Sequence, residues 1–359
     1  MNVKEKIILL LYSISFPYKA TRFIYENIDA EILISNFSEV EKVLKENFGE
    51  SACLKLKNAI SWQNIENCVQ KLQNYGVLPV FCHNDEYPNC LKQIASPPIV
   101  LFCKGNVNIL KSKCIAIVGT RRPTMYGREV TKLFSSALSK AGLVTVSGLA
   151  YGLDMEVALS TLDVKGKTIA VLGGGLNKIY PEQNTNLAQR ILENDGLLIS
   201  LMWPTLSPTK YSFLDRNRII SGLSLGTLIV EAGESSGTLN TANHTIDQGR
   251  ELFVVPANIL SSASLGSNKL IEEMPDTYTI SPEHILKRLH INFESQKLDK
   301  KASLGEMEKQ IVNALYEQDL DIDMLKEKTN LDSKSLISLL TRMEINGLIK
   351  KLPGNIYSL

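Results

Sequence analysis

CIAIVGTRR, residues 114–122, decides the fold. Cys114 to Val118 is an unbroken apolar string, the pattern of a strand covered on both faces in a parallel sheet. Gly119, Thr120, Arg121 and Arg122 follow at once, where a strand-to-helix turn exposes backbone N–H groups and charge. The same succession recurs along the chain. Apolar runs at 99–103, 143–147, 168–172, 196–201, 226–231 and 251–255 alternate with amphipathic stretches at 127–141, 154–162, 185–194 and 238–248. Such alternation predicts an α/β fold with a doubly wound, mostly parallel sheet.

Around this core, 76–290, the pattern differs on each side. Residues 1–75 repeat apolar positions at three and four, without strand alternation, and predict a small helical (SAM-like) module. The apolar run 7–16 follows a partly basic start, as a signal peptide would. But Glu5 interrupts the basic part, no small-x-small cleavage site follows and Pro17 breaks the run, so a buried first helix is expected. Residues 291–304 are polar and charged and read as a linker. Residues 305–359 show three helical stretches, 307–317, 324–329 and 333–346, then a hairpin around Pro353-Gly354, the order of a winged helix-turn-helix.

Composition narrows the functions available. The 359 residues carry a net charge of +1, so no global field draws in nucleic acid and any such site is a local patch. The six cysteines, Cys53, Cys68, Cys82, Cys90, Cys103 and Cys114, form no CxxC pair and fit no zinc ribbon. They read as thiols of a reducing cytoplasm, and neither a metal nor a cofactor is expected. No stretch reads as a membrane span, so no membrane partner is expected.

A local patch is visible at 210–224, KYSFLDRNRIISGLS. Lys210, Arg216 and Arg218 surround Tyr211 and Phe213: cations for phosphates and a ring for a base face. The alternative is a solvated loop with Phe213 plugging the core. In open α/β sheets ligands bind beyond the carboxyl ends of the strands. There the turns read Gly119-Thr120-Arg121, Ser147-Gly148, Gly173-Gly174-Gly175 and, after Glu231, Ser235-Ser236-Gly237-Thr238 opening a helix. Together they describe a phosphate-binding edge. The P-loop pattern is absent, and Lys178 stands where the third glycine of a dinucleotide fingerprint belongs. No nucleophile–base pair has distinctive spacing, so no catalytic residue is expected. Two rivals remain open. One is a nucleotide N-glycosidic hydrolase in which Glu231 or Glu234 acts on the sugar bond. The other is a winged-helix transcriptional regulator.

Taken in order, IAIVGTRRPT (115–124), SGLAYGLD (147–154), AVLGGGLNKIYPEQN (170–184), FLDRNRIISGLS (213–224), EAGESSGTLNTA (231–242), DQGRELFVVP (247–256) and GSNKLI (266–271) resemble the DNA-processing protein A family, also called DprA or Smf. The carboxy-terminal GLIKKLPGNIYSL resembles the family's winged-helix tail. The resemblance implies an extended Rossmann-like core that binds single-stranded DNA, a homodimer, and loading of the recombinase RecA during natural transformation, with no enzymatic step. Carried over by motif, the DNA site comprises Gly119, Thr120, Arg121, Ser147, Gly148, Lys210, Phe213, Arg216, Asn217, Arg218, Gly266, Ser267 and Asn268. Arg121, Lys210 and Arg216 would hold phosphates; whether Phe213 stacks on a base or pins its loop stays open. The chain departs from the pattern at Leu214 and Ala158, where many members have proline and histidine, and after Ile271. Residues 303–359 hold 7 Lys and Arg against 9 Asp and Glu, 7 − 9 = −2, so protein contact is as natural a role for the winged helix as duplex reading.

Overall fold

The computed structural model describes residues 1–291, 305–345, 348–352 and 354–358; most of the expected linker, with Asn346, Gly347 and Pro353, lies outside them. Two compact units emerge, Met1–Asn292 and Phe293–Leu359.

The first unit opens with six helices: α1 (Val3–Ser13), α2 (Tyr18–Asn27), α3 (Ala30–Ser35), α4 (Phe37–Phe48), α5 (Glu50–Ala59) and α6 (Trp62–Asn74). Helix α1 starts at a capping box, Asn2 with Glu5, and its run Ile7 to Leu11 is buried. No described helix is long and apolar enough to cross a membrane. The helices pack directly on the sheet. Tyr12 meets Phe102 edge-on at 5.5 Å, and His83 Nε2 lies 2.8 Å from the buried Glu5 carboxylate.

Eight strands follow: β1 (Leu78–Phe81), β2 (Val100–Gly105), β3 (Cys114–Val118), β4 (Val144–Ser147), β5 (Thr168–Leu172), β6 (Leu197–Ser200), β7 (Gly226–Ile229) and β8 (Glu251–Val254). Their order is β1-β2-β6-β5-β4-β3-β7-β8. The six from β6 to β8 are parallel, and β2 joins β6 antiparallel with β1 beyond it. Both faces are covered, which accounts for the unbroken apolar runs. Ala170 and Leu172 join the core that includes the N-terminal helices, whereas Ile169 and Val171 join the opposite one.

The connecting helices are α7 (Asn89–Lys92), α8 (Met125–Lys140), α9 (Leu153–Asp163), α10 (Thr185–Glu193), α11 (Lys210–Gly222), α12 (Gly237–Asp247), α13 (Leu265–Glu273) and α14 (Pro282–Arg288). Helix α11 corrects the loop reading of 210–224. The chain is helical from Lys210, after a capping box in which Thr209 and Ser212 exchange side-chain-to-backbone hydrogen bonds of 3.1 and 2.8 Å.

The second unit contains α15 (Glu306–Glu317), β9 (Leu320–Asp321), α16 (Ile322–Thr329), α17 (Ser333–Ile345), β10 (Lys350–Leu352) and β11 (Ile356–Ser358). Its three strands form one antiparallel sheet, and Leu325, Leu336, Leu340 and Met343 centre its core, giving a winged-helix domain.

Candidate nucleic-acid interface

Strand β3 connects toward β4 on one side, and its neighbour β7 connects toward β8 on the other. Between such strands the sheet leaves a crevice at the carboxyl ends. A cavity of about 730 Å³ opens there. The turn after β3 lines one wall, the turn after β7 another, and the start of α11 the third.

The first wall is fixed from behind. Thr120 N–H donates to the Glu231 carbonyl at 2.8 Å, and Leu153 N–H donates to the Thr120 carbonyl at 3.2 Å. The Glu231 carboxylate, 1% exposed, accepts the Thr124 N–H at 3.0 Å and the Thr124 hydroxyl. Thr124 in turn caps α8 through Gly127 N–H. Gly127 makes room for the carboxylate: a Cβ there would stand 2.2 Å from Glu231 Oε2 and push it off Thr124. This anchoring leaves the side chains of Arg121 and Arg122 exposed at the cavity. It also takes Glu231 out of the role that a glycosidic hydrolase would give it: the carboxylate holds the helix-capping Thr124 and does not line the cavity. Glu234 is exposed and likewise does not line it.

Helix α11 presents three side chains with different jobs. Lys210 is exposed at its first turn. Phe213 is half-buried. Its ring lies so close over Gly173 that a Cβ there would sit 2.5 Å from Phe213 Cδ1, and the Arg121 guanidinium lies 5.5 Å from the ring centroid. Arg216 points inward and is 4% exposed. Its Nη1 donates to the carbonyls of Gly148, at 2.7 Å, and of Val171, bracing α11 against the ends of β4 and β5. Burial pulls the Arg216 pKa down to about 10, against the opposing influence of Asp154. Asp154 is buried too and accepts N–H bonds from Gly148 at 3.1 Å and Ala150 at 3.3 Å. Burial raises its pKa, with Arg216 and those N–H groups acting in the other direction. Both line the cavity, where the positive Arg216 and the negative Asp154 offset one another's charge. Asn217 ties α11 to α12 through Asn240 at 3.2 Å.

Gly119, Thr120, Arg121, Lys210, Phe213, Arg216 and Asn217 therefore converge on one cavity. The other expected residues stand behind it. Ser147 is buried and donates to the Ile117 carbonyl at 2.8 Å. Gly148 receives Arg216. Arg218 pairs with Asp215 at 2.6 Å and donates to the Ser96 carbonyl. Gly266 and Ser267 are buried against the β7 turn, where Ser267 N–H donates to the Ala232 carbonyl at 3.0 Å. Asn268 grips both backbone polar groups of Ala257. Arg122 and the Ser235-Ser236-Gly237-Thr238 turn, read from the strand ends as part of the phosphate-binding edge but outside the set carried over by motif, also line the cavity. Ser236 caps α12, so that helix presents its N-terminal N–H groups to the space.

Residues 79–290 match the family model described as DNA recombination-mediator protein A, and residues 296–355 match the DprA winged helix domain. The DNA processing protein DprA of Bacillus subtilis is 39% identical over 221 residues, 61% of this chain and 74% of that protein. Protein Smf of Escherichia coli is 34% identical over 295 residues, 80% of this chain and 78% of that protein. The X-ray structure of DNA processing protein A from Streptococcus pneumoniae superposes with a TM-score of 0.68 at 30% identity, covering 82% of this chain and 99% of that one. A Helicobacter pylori DNA processing protein A structure, described for its single-stranded DNA binding mode, gives 0.54 at 30% identity over 60% of this chain and 97% of that one.

Proposed function

This chain belongs to the DNA recombination-mediator protein A family, and from that membership and its cavity we propose that it binds single-stranded DNA without sequence preference. One observation carries the reading: exposed Arg121, Arg122 and Lys210 stand around a cavity whose other wall is the N-terminus of α12. That is a phosphate site made of side-chain cations and oriented N–H groups. Its charged and backbone groups address the sugar–phosphate chain, and such contacts carry no sequence information. A single strand bends into a concave crevice; a duplex, stiff over about 150 base pairs, does not.

The finer reading is that the protein works as a homodimer in the cytoplasm and loads a RecA-type recombinase on incoming single strands during natural transformation. The family description as a recombination mediator supports it. No catalytic step is proposed, since the glycosidic alternative needs Glu231 or Glu234 at the cavity: the Glu231 carboxylate holds Thr124, the cap residue of α8, and Glu234 does not line the space. For the winged helix we favour protein contact over promoter reading. Its net charge is −2, and Arg342 of α17 is paired with Glu308 at 2.6 Å.

Fluorescence anisotropy of labelled oligo-dT against a duplex of equal length tests the core claim. The expected result is tight, salt-sensitive binding to the single strand, lost in Arg121→Glu with Lys210→Glu. Equal affinity for both nucleic acids, or full affinity in the variant, would contradict it. Light scattering and a recombinase-filament assay on single strands test the dimer and the loading.

A further inference from the structure

Phe213 is the aromatic that its setting beside three cations recommends for stacking, but its ring is already in use. One side is packed on Gly173, and the Arg121 and Arg216 guanidinium carbons stand 5.5 and 6.0 Å from its centroid. A base approaching that ring face-on meets either the glycine backbone or a guanidinium. Phe213 is a pillar of the cavity wall.

Next to it stands a ring that is free. Tyr180 is 51% exposed, and its centroid lies 5.7 Å from that of Phe213 at an interplanar angle of 49°. Exposed aromatics are common, and exposure alone means little. Tyr180 differs in how firmly it is held and in where it stands. The chain on either side is anchored: Leu176 is buried, Ile179 packs on the same core, Pro181 is buried, and buried Asn184 donates to the Leu149 carbonyl at 2.9 Å. The loop before it is also tied down, with Gly175 N–H bonded to the Leu206 carbonyl at 2.8 Å and Asn177 N–H to the Pro204 carbonyl at 2.9 Å. A ring carried on backbone fixed in this way requires little ordering of its loop when a base settles on it. Phe213 thus has Arg121 and Tyr180 as neighbours, guanidinium to ring and ring to ring, and Phe213 and Arg121 both line the cavity.

We propose that Tyr180 is the base-stacking platform of this protein, receiving the nucleotide next to the one whose phosphate sits at Arg121 and Lys210. The inference rests on the single-strand reading above and adds to it a second contact of different chemistry. Phosphate contacts are electrostatic and depend on salt; stacking on Tyr180 is not.

The test is a cycle between the protein and the strand. Wild type, Tyr180→Ala, Tyr180→Leu and Tyr180→Phe are titrated with oligo-dT and with an abasic strand of equal length. Tyr180→Ala and Tyr180→Leu are expected to bind oligo-dT roughly 5- to 150-fold more weakly, Tyr180→Phe to bind as wild type, and all four to bind the abasic strand equally, with an unchanged salt slope. Wild-type affinity of Tyr180→Ala for oligo-dT would overturn the proposal. So would an equal loss on the abasic strand, which would mean that Tyr180 only shapes the loop. If wild type binds neither strand, the single-strand reading fails first and this inference falls with it.

Discussion

Arg216, buried in α11, donates through Nη1 to the Gly148 carbonyl at 2.7 Å, joining two segments 68 residues apart. A Cβ on Gly148 would stand 2.2 Å from that nitrogen, so any larger residue there would displace the guanidinium. Arg216→Ala leaves two carbonyls unsatisfied and Asp154 buried without its counter-charge. The expected destabilisation is about 3–5 kcal/mol, read from the denaturant midpoint. Arg216→Lys recovers little, because an ammonium lacks the planar fork. A stable Arg216→Ala protein that has lost only DNA binding would give Arg216 a direct phosphate role.

Lys210 is the contrasting case. It is exposed, and its removal should leave stability within about 0.5 kcal/mol while weakening single-strand binding. Comparing melting temperature and affinity for Lys210→Gln and Arg216→Ala side by side separates cations that touch the strand from the one that builds the wall.

Glu231→Gln puts an amide where two hydrogen bonds from Thr124 are accepted. The cost should be about 1–3 kcal/mol. Hydrogen exchange should quicken in 119–124, and single-strand affinity should fall as that loop loosens. No free base should be released from nucleoside monophosphates by either protein. Base release by wild type, abolished in the variant, would restore the hydrolase reading.

His244 makes stability depend on pH. Burial lowers its pKa below 6.5, partly opposed by Asp247, so the folded chain takes up that proton less readily than the unfolded one. Its contribution is fully present above about pH 6.5 and is lost as pH falls through the lowered folded value. The stability difference between wild type and His244→Asn should shrink from about pH 7.5 to about pH 5. A difference independent of pH would contradict this.

Much of the core can be read along the chain, because strands buried on both faces leave unbroken apolar runs such as Cys114–Val118 and Thr168–Leu172. Helix α11 is harder to read. Its first half carries polar and charged residues and buries an arginine, which breaks the apolar periodicity; the Thr209–Ser212 capping box is the signal that marks its start. The site divides along the same line. Turn residues after β3 are predictable from the sheet rule, but charge alone cannot tell exposed Lys210 from buried Arg216, since the acceptors of Arg216 lie 45 and 68 residues away. Gly266, Ser267 and Asn268 stand in a recognisable motif, yet they act on Ala232 and Ala257, not on the cavity. Strand β1 leaves no comparable run, because it stands at the sheet edge with Leu78 exposed and Pro79 within it.

The central claim is that exposed cations at the β3–β7 crevice hold the phosphates of a single strand. Its most direct test is the salt dependence of oligo-dT binding. Three contacts, Arg121, Arg122 and Lys210, predict a log–log slope of about −2, falling to about −0.7 in Arg121→Gln with Lys210→Gln. A slope near zero in wild type, or one unchanged in the variant, would place the contacts elsewhere and contradict the account.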